Sequence, residues 1–177
     1  YIGQSAVVLK AYAWSRMMGA EGMRECAEIS VLNNNYMLNI MEKIPGVTHA
    51  FQGNGITRQE QIRYSFQELK EKYGVGSDDM NCRMGDYGIP WFWSSHHPWV
   101  IPEPMTLEPC ESYTKEDIEE YCKVVEIVAG EAAENPELLK NAPYHTGMHR
   151  RVEEEDLDNP DKWAVTWRAY KRKAGVE

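Results

Sequence analysis

Residues 19–46 read GAEGMRECAEISVLNNNYMLNIMEKIPG, and the way this run folds decides the layout of the chain. Ile29, Leu32, Tyr36 and Ile40 recur at helical spacing, with Met37 and Met41 flanking them, which predicts one long amphipathic helix. Pro45-Gly46 ends it. Asn33, Asn34 and Asn35 are weak helix formers. In a helix this apolar they are expected to make specific hydrogen bonds rather than to mark a break. Upstream, SAVVLKAYAWSRMMG at 5–19 puts Val8, Ala11, Tyr12 and Ser15 on one side, with Leu9 and Ala13 close by. A largely buried helix is expected there, stopped at Gly19.

Working outward from the other end, residues 46–59 form a turn-rich connector whose sharpest signal is Gly53-Asn54-Gly55. In EQIRYSF, Ile62, Tyr64 and Phe66 alternate with Gln61, Arg63 and Ser65, which reads as a strand with one buried face. QELKEKYGV reads as a short helical turn or loop, and Ser77 is placed as the N-cap of a short helix running to Tyr87-Gly88. PWVIP and MTLEPC read as two short strands around Pro102-Glu103-Pro104. Thr114, with Asp117 three residues on, opens the strongest helix, whose stripe is Ile118, Tyr121, Cys122, Val125, Val128 and Ala132. Asn135-Pro136 starts a further short helix. From Pro143 onward the chain is polar and acidic, the pattern of a tail that wraps a partner surface. This order implies an α+β layer, a small sheet covered by helices.

Length, at 177 residues, suits one ordinary domain, and a net charge of −9 argues against nucleic acid or an anionic membrane as partner. No apolar run approaches the about 20 residues of a membrane-spanning helix, and no charged-then-apolar leader is present. The chain opens at Tyr1 without an initiator Met, with helical pattern under way by Ser5, so a piece of a longer polypeptide is expected. Cys26, Cys82, Cys110 and Cys122 contain no Cys-x-x-Cys pair, which predicts reduced thiols and a cytoplasmic setting.

Three groups of residues are candidates for a site. Adjacent His96 and His97 would point to opposite faces of a strand, so a shared metal is not expected. Trp91, Phe92, Trp93 and Trp99 could stack a planar ligand, but core or domain-interface burial is the expected use of so much aromatic area. His145, His149, Arg150 and Arg151 offer donors suited to an anion, and the EEED run that follows offers them intramolecular partners instead. No nucleophile elbow, Walker loop or dinucleotide fingerprint is present.

Three segments carry a resemblance. MMGAEGMRECAEISVLNNNYM, DYG followed by VIPEPMTLEPCESYTKEDIEEYC, and ENPELLKNAPYHTGMHRRVEE resemble, in order, the C-terminal region of glycine dehydrogenase (decarboxylating), the P-protein of the glycine cleavage system, as found in its separate second subunit or a paralogue. The resemblance implies the small C-terminal domain of a fold-type I pyridoxal-phosphate enzyme. Residues 1–45 would be linking helices from the cofactor domain, 46–142 the small α+β domain, and 143–177 an extended tail. It implies pyridoxal phosphate in the full-length protein and none bound to this part, because the family's cofactor lysine and phosphate cradle precede it. The implied partners are the cofactor domain or other P-protein subunit and the lipoylated H-protein, with a homo-oligomer possible in principle. Trp91, Trp93, His96, His97, His145 and Arg150 are the implied active-site-facing residues. The chain departs from the family where IPWFWSS replaces FHPPT after DYG, and near Gln59 and Glu60, where the family has His. A second reading is therefore a non-catalytic interaction module that uses an 89–104 aromatic hairpin.

Overall fold

Helical residues dominate, so the sheet is small and its position is set by the helices around it. The structure, a computed structural model, describes residues 3–53, 55–59, 61–90, 92–96, 99–145 and 166–176. Two units are present, Tyr1–Thr146 and Gly147–Glu177, and each is described by itself.

In the first unit, α1 (Ser5–Met41) is interrupted at Gly19, where φ 64° and ψ −176° lie in a region open to glycine alone. The stop expected at Gly19 is therefore present, though helix resumes at once on its far side. Burial differs from expectation. The Ser5–Met18 arm is exposed, with Leu9 at 66% and Met17 at 75%, because no described residue of this unit covers it. Beyond the break the buried edge is Asn34, Met37 and Met41, and Leu32 faces outward.

The sheet has order β1-β2-β3 and is antiparallel throughout, with β1 (Thr48–His49), β2 (Ile62–Ser65) and β3 (Pro104–Leu107). Tyr64 pairs with His49 on one side and Met105 on the other. β2 is the strand the alternation predicts, but Ser65 is buried as well, since its hydroxyl donates to the Pro102 carbonyl at 2.6 Å. The two-residue β1 falls inside the segment expected to be a connector. PWVIP forms no strand among its described residues. Among the described residues of 89–103, Trp93 instead forms an isolated bridge to Thr106 of β3. The prolines of this segment lack the donors a ladder needs.

Around the sheet lie α2 (Gln67–Tyr73), α3 (Ser77–Asp86), α4 (Lys115–Glu134) and α5 (Pro136–Lys140). α4 begins as predicted: the Asp117 N–H donates to Thr114 Oγ at 3.1 Å, and the Thr114 N–H donates back to the Asp117 carboxylate at 2.8 Å. The cap of α3 is one residue earlier than expected. Gly76 is the cap residue, and its N–H donates to Asp79 at 2.9 Å. Ser77, the first helical residue, donates its N–H to the Glu103 carboxylate at 2.6 Å. Glu103 holds a left-handed φ of 43°, offset by this bond and by the Phe66 N–H on its carbonyl at 2.9 Å.

The core between helices and sheet is built on Tyr64 and Phe66 and on a group of methionines, Met41, Met80, Met84 and Met105. Unbranched, flexible methionine side chains fill the irregular space where three short strands meet five helices. Burial pushes the Cys122 thiol up to about 12, so it stays protonated. No disulfide joins any of the four cysteines.

The second unit contains α6 (Trp167–Ala174), a helix within the expected tail. Thr166 caps it through the Ala169 N–H at 3.1 Å, and the Trp167 and Tyr170 rings stack at 5.2 Å.

Gly46 and Gly130 make a paired test of this packing. At Gly46, φ is +85° and an added Cβ would lie 2.2 Å from Cδ2 of buried Leu69. Gly46→Ala is expected to destabilise by about 2–5 kcal/mol. At Gly130, inside α4, a Cβ meets nothing within 4 Å. Gly130→Ala is expected to stabilise by about 0.5–1 kcal/mol. Chemical denaturation of the two variants beside the parent checks both signs.

Candidate functional site

Three consecutive asparagines on α1 hold two distant loops. Asn33 donates from Nδ2 to the Cys110 carbonyl at 2.9 Å and the Tyr113 carbonyl at 3.0 Å. Asn34 donates to the Gln59 carbonyl at 3.3 Å. Asn35 grips the Arg58 backbone from both sides, accepting its N–H at 2.9 Å and donating to its carbonyl at 2.7 Å. Successive residues on a helix point in different directions, so neighbouring asparagines can reach separate loops. The hydrogen-bonding role expected for the Asn run is what the structure shows.

Arg58 then closes the loop that precedes it, donating to the Ala50 and Phe51 carbonyls at 3.1 and 2.8 Å. On the other side, Ser30 reaches Glu111 at 3.2 Å, and Gln61 donates to Glu108. The Glu108–Ser112 turn is thereby seated on α1. A groove lies on each side of Glu108-Pro109, one including Met37, Leu107 and Tyr121, the other Ala27, Ser30 and Gln59.

The aromatic segment is divided between core and surface. Asn81 clamps the Phe92 backbone by accepting its N–H and donating to its carbonyl, both at 3.2 Å. The Phe92 ring is buried, 6.1 Å from Phe66. Trp93 accepts the Thr106 N–H at 2.9 Å through its carbonyl, while its ring is 42% exposed. His96 is exposed and sets its ring edge against that indole at 4.6 Å. The structure therefore brings Trp93 and His96 together. Trp91, His97 and Arg150 lie outside the described residues, as does His149.

His145 belongs to another cluster. Its backbone N–H and that of Tyr144 both donate to Asp86 Oδ1 at 2.7 Å. Arg83 binds Asp86 at 3.1 Å and forms a two-pronged pair with Glu131 on α4, both bonds at 2.8 Å. The Tyr87 hydroxyl donates to Glu131 at 2.6 Å, and the guanidinium lies 5.0 Å from the Tyr87 ring centre. Burial pushes the Asp86 carboxyl up, but the His145 and Tyr144 N–H groups and the Arg83 charge outweigh it and hold it below the usual range. Glu131 is held low by the Arg83 hydrogen bonds. Sequence reading singled out neither Arg83 nor Glu131. Their separation of 48 residues leaves no local signal.

A family model described as "Glycine dehydrogenase, C-terminal domain" matches residues 26–144. The chain belongs to that family. The matched span ends at Tyr144, the residue that Asp86 holds. Curated relatives named "Probable glycine dehydrogenase (decarboxylating) subunit 2" are similar over most of the chain. That of Pyrococcus horikoshii is 33% identical over 171 residues, 96% of this chain and 32% of the relative. That of Thermotoga maritima is 34% identical over 156 residues, 87% of this chain and 31% of the relative. The chain thus spans about a third of the length of the curated relatives it matches. Of the three segments that carried the resemblance, the glycine dehydrogenase domain joins two directly, through Asn33 on the Cys110–Tyr113 turn, and secures the third through Asp86.

Pyridoxal phosphate requires a sheltered amine and a cradle for its phosphate. Every lysine of the first unit is exposed, so the described residues of that unit do not fit that group. Among the described residues no cluster of three or more His, Cys, Asp or Glu side chains could hold a metal ion. Nor is any described helix long and apolar enough to cross a membrane.

Arg83→Met leaves the Asp86 side chain, 1% exposed, without its cation and is expected to cost about 3–5 kcal/mol at pH 7. Folded-state values below the ordinary ones mean that this stability is present above the unfolded carboxyl range and lost as pH falls through the lowered values. The gap between parent and variant should therefore be full at neutral pH and narrow below about pH 4. Denaturation curves at pH 7 and pH 3 measure it.

Proposed function

We propose that this chain is the C-terminal domain of a fold-type I pyridoxal-phosphate enzyme that decarboxylates glycine and passes the aminomethyl group to the lipoyl arm of an H-protein. The family match over residues 26–144 carries this reading. It is supported by the printed names of the relatives and by the way the domain ties the matched segments together. The same observations favour the enzyme over an interaction module.

In this reading residues 1–45 link to the cofactor domain, 46–142 form the small domain and 143–177 the tail. The cofactor is held by residues outside this chain, a reading supported by the exposure of every lysine in the first unit. The apolar Ser5–Met18 arm packs against that part of the polypeptide, which accounts for apolar residues such as Val8 and Leu9 being uncovered here. Trp91, Trp93, His96, His97, His145 and Arg150 face the active site, and a second P-protein subunit completes it. The name "subunit 2" borne by the relatives supports that last point.

The decisive experiment uses the full-length polypeptide with its partner subunit, pyridoxal phosphate and lipoylated H-protein. Exchange of label between bicarbonate and the glycine carboxyl is expected. A complex that shows the visible absorbance of bound cofactor but supports no exchange would overturn the glycine assignment.

A further inference from the structure

A half-open groove of about 410 Å³ lies between α1, β3 and α4. Its apolar lining includes Ile89, Leu107 and Pro109, with Met37 and Ile118 at its floor and Tyr113 and Tyr121 among its walls. Three carboxylates, Glu108, Asp117 and Glu120, also line it, and among the described residues no Lys, Arg or His does. Two of them are partly engaged: Glu108 accepts the Gln61 amide, and Asp117 accepts from the Thr114 N–H and hydroxyl through Oδ2. These bonds are to neutral donors and leave the negative charge in place.

We propose that the groove binds an aliphatic chain ending in an ammonium group, the chemical form of a lipoyl-type arm once it carries an aminomethyl group. The class of ligand follows from the groove alone; its identity as the loaded arm rests on the glycine-decarboxylating reading. The volume suits a single flexible chain, being in the range of small-ligand clefts. Methylene groups are accommodated by the apolar side chains, and a cation gains from both the tyrosine faces and the carboxylates. An anion of the same length meets three like charges in a chain of net charge −9. The same recognition already operates nearby on α4. The Lys115 ammonium stands 5.9 Å from the Tyr36 ring centre and 3.5 Å from Glu119, whose carboxylate accepts the Tyr36 hydroxyl. The groove would distinguish the charged, loaded arm from its neutral, unloaded form.

Calorimetric titration of the full-length polypeptide with octyltrimethylammonium, 1-octanol and octanoate tests the class of ligand. The quaternary cation cannot condense with a cofactor aldehyde, so binding at the catalytic centre by that route is excluded. The cation is expected to bind about tenfold more tightly than the alcohol, with octanoate weakest. The doubly substituted Glu108→Gln, Glu120→Gln protein should lose most of the cation preference, because both residues are exposed and their two charges carry the larger part of the discrimination beside the helix-capping Asp117. Tyr113→Ala should weaken all three. Equal affinities in the parent, or a preference undiminished by the double substitution, would overturn the proposal. With H-protein, the double variant should weaken association of the aminomethyl-loaded form severalfold and leave the unloaded form unchanged. If glycine exchange fails while the cation preference holds, the groove stands and the glycine reading alone falls.

Discussion

Amide side chains of one helix bonded to the backbone of two remote loops are the constraint from which the domain's surface follows. Asn33 and Asn35 satisfy loop carbonyls and an N–H that no strand or helix would otherwise pair. Each such bond adds only about 1 kcal/mol net, but a buried polar group left without one costs about 1–3 kcal/mol. The cost of losing the match is what makes the placement specific. With Arg58-Gln59 and the Cys110–Tyr113 turn both fixed on α1, the approach to β2 and the entry to α4 are set by a single element.

Features that were legible in the sequence are those whose cause is local. The Thr114–Asp117 box, the apolar stripe of α4, the alternation of β2 and the stop at Gly19 all depend on residues within a turn or two. The partners of the asparagines lie 23 to 80 residues away, so the sequence suggests that they bond but not to what. The Arg83–Glu131 pair was unreadable for the same reason. At 89–104 the aromatic content suggested a hairpin. The observed arrangement is set by Asn81 on α3 and Thr106 on β3, each contributing a single clamp. The Ser5–Met18 arm misled in another way. Its composition is that of a buried helix, and composition does not say whether the covering surface belongs to the same chain.

The two polar centres divide the work. The asparagine run organises the face that carries the grooves, while Arg83, Asp86 and Glu131 lock α3, α4 and the chain after α5 into one body. Between them lies a methionine-rich core tolerant of small adjustments. A domain with firm polar anchors and an adaptable interior can hold loops in place while accommodating a change of contact on one side.

The backbone of Gly19 sets the bearing of the apolar arm, and no neighbouring atom would touch a side chain placed there. The steering is wholly conformational. Any other residue would favour continuous helix through the break and swing Ser5–Met18 onto a new heading, leaving every contact of the sheet and of α2 to α5 intact. A protein altered in this way would fold its small domain normally and yet present the arm to the wrong place, a fault of geometry rather than of stability.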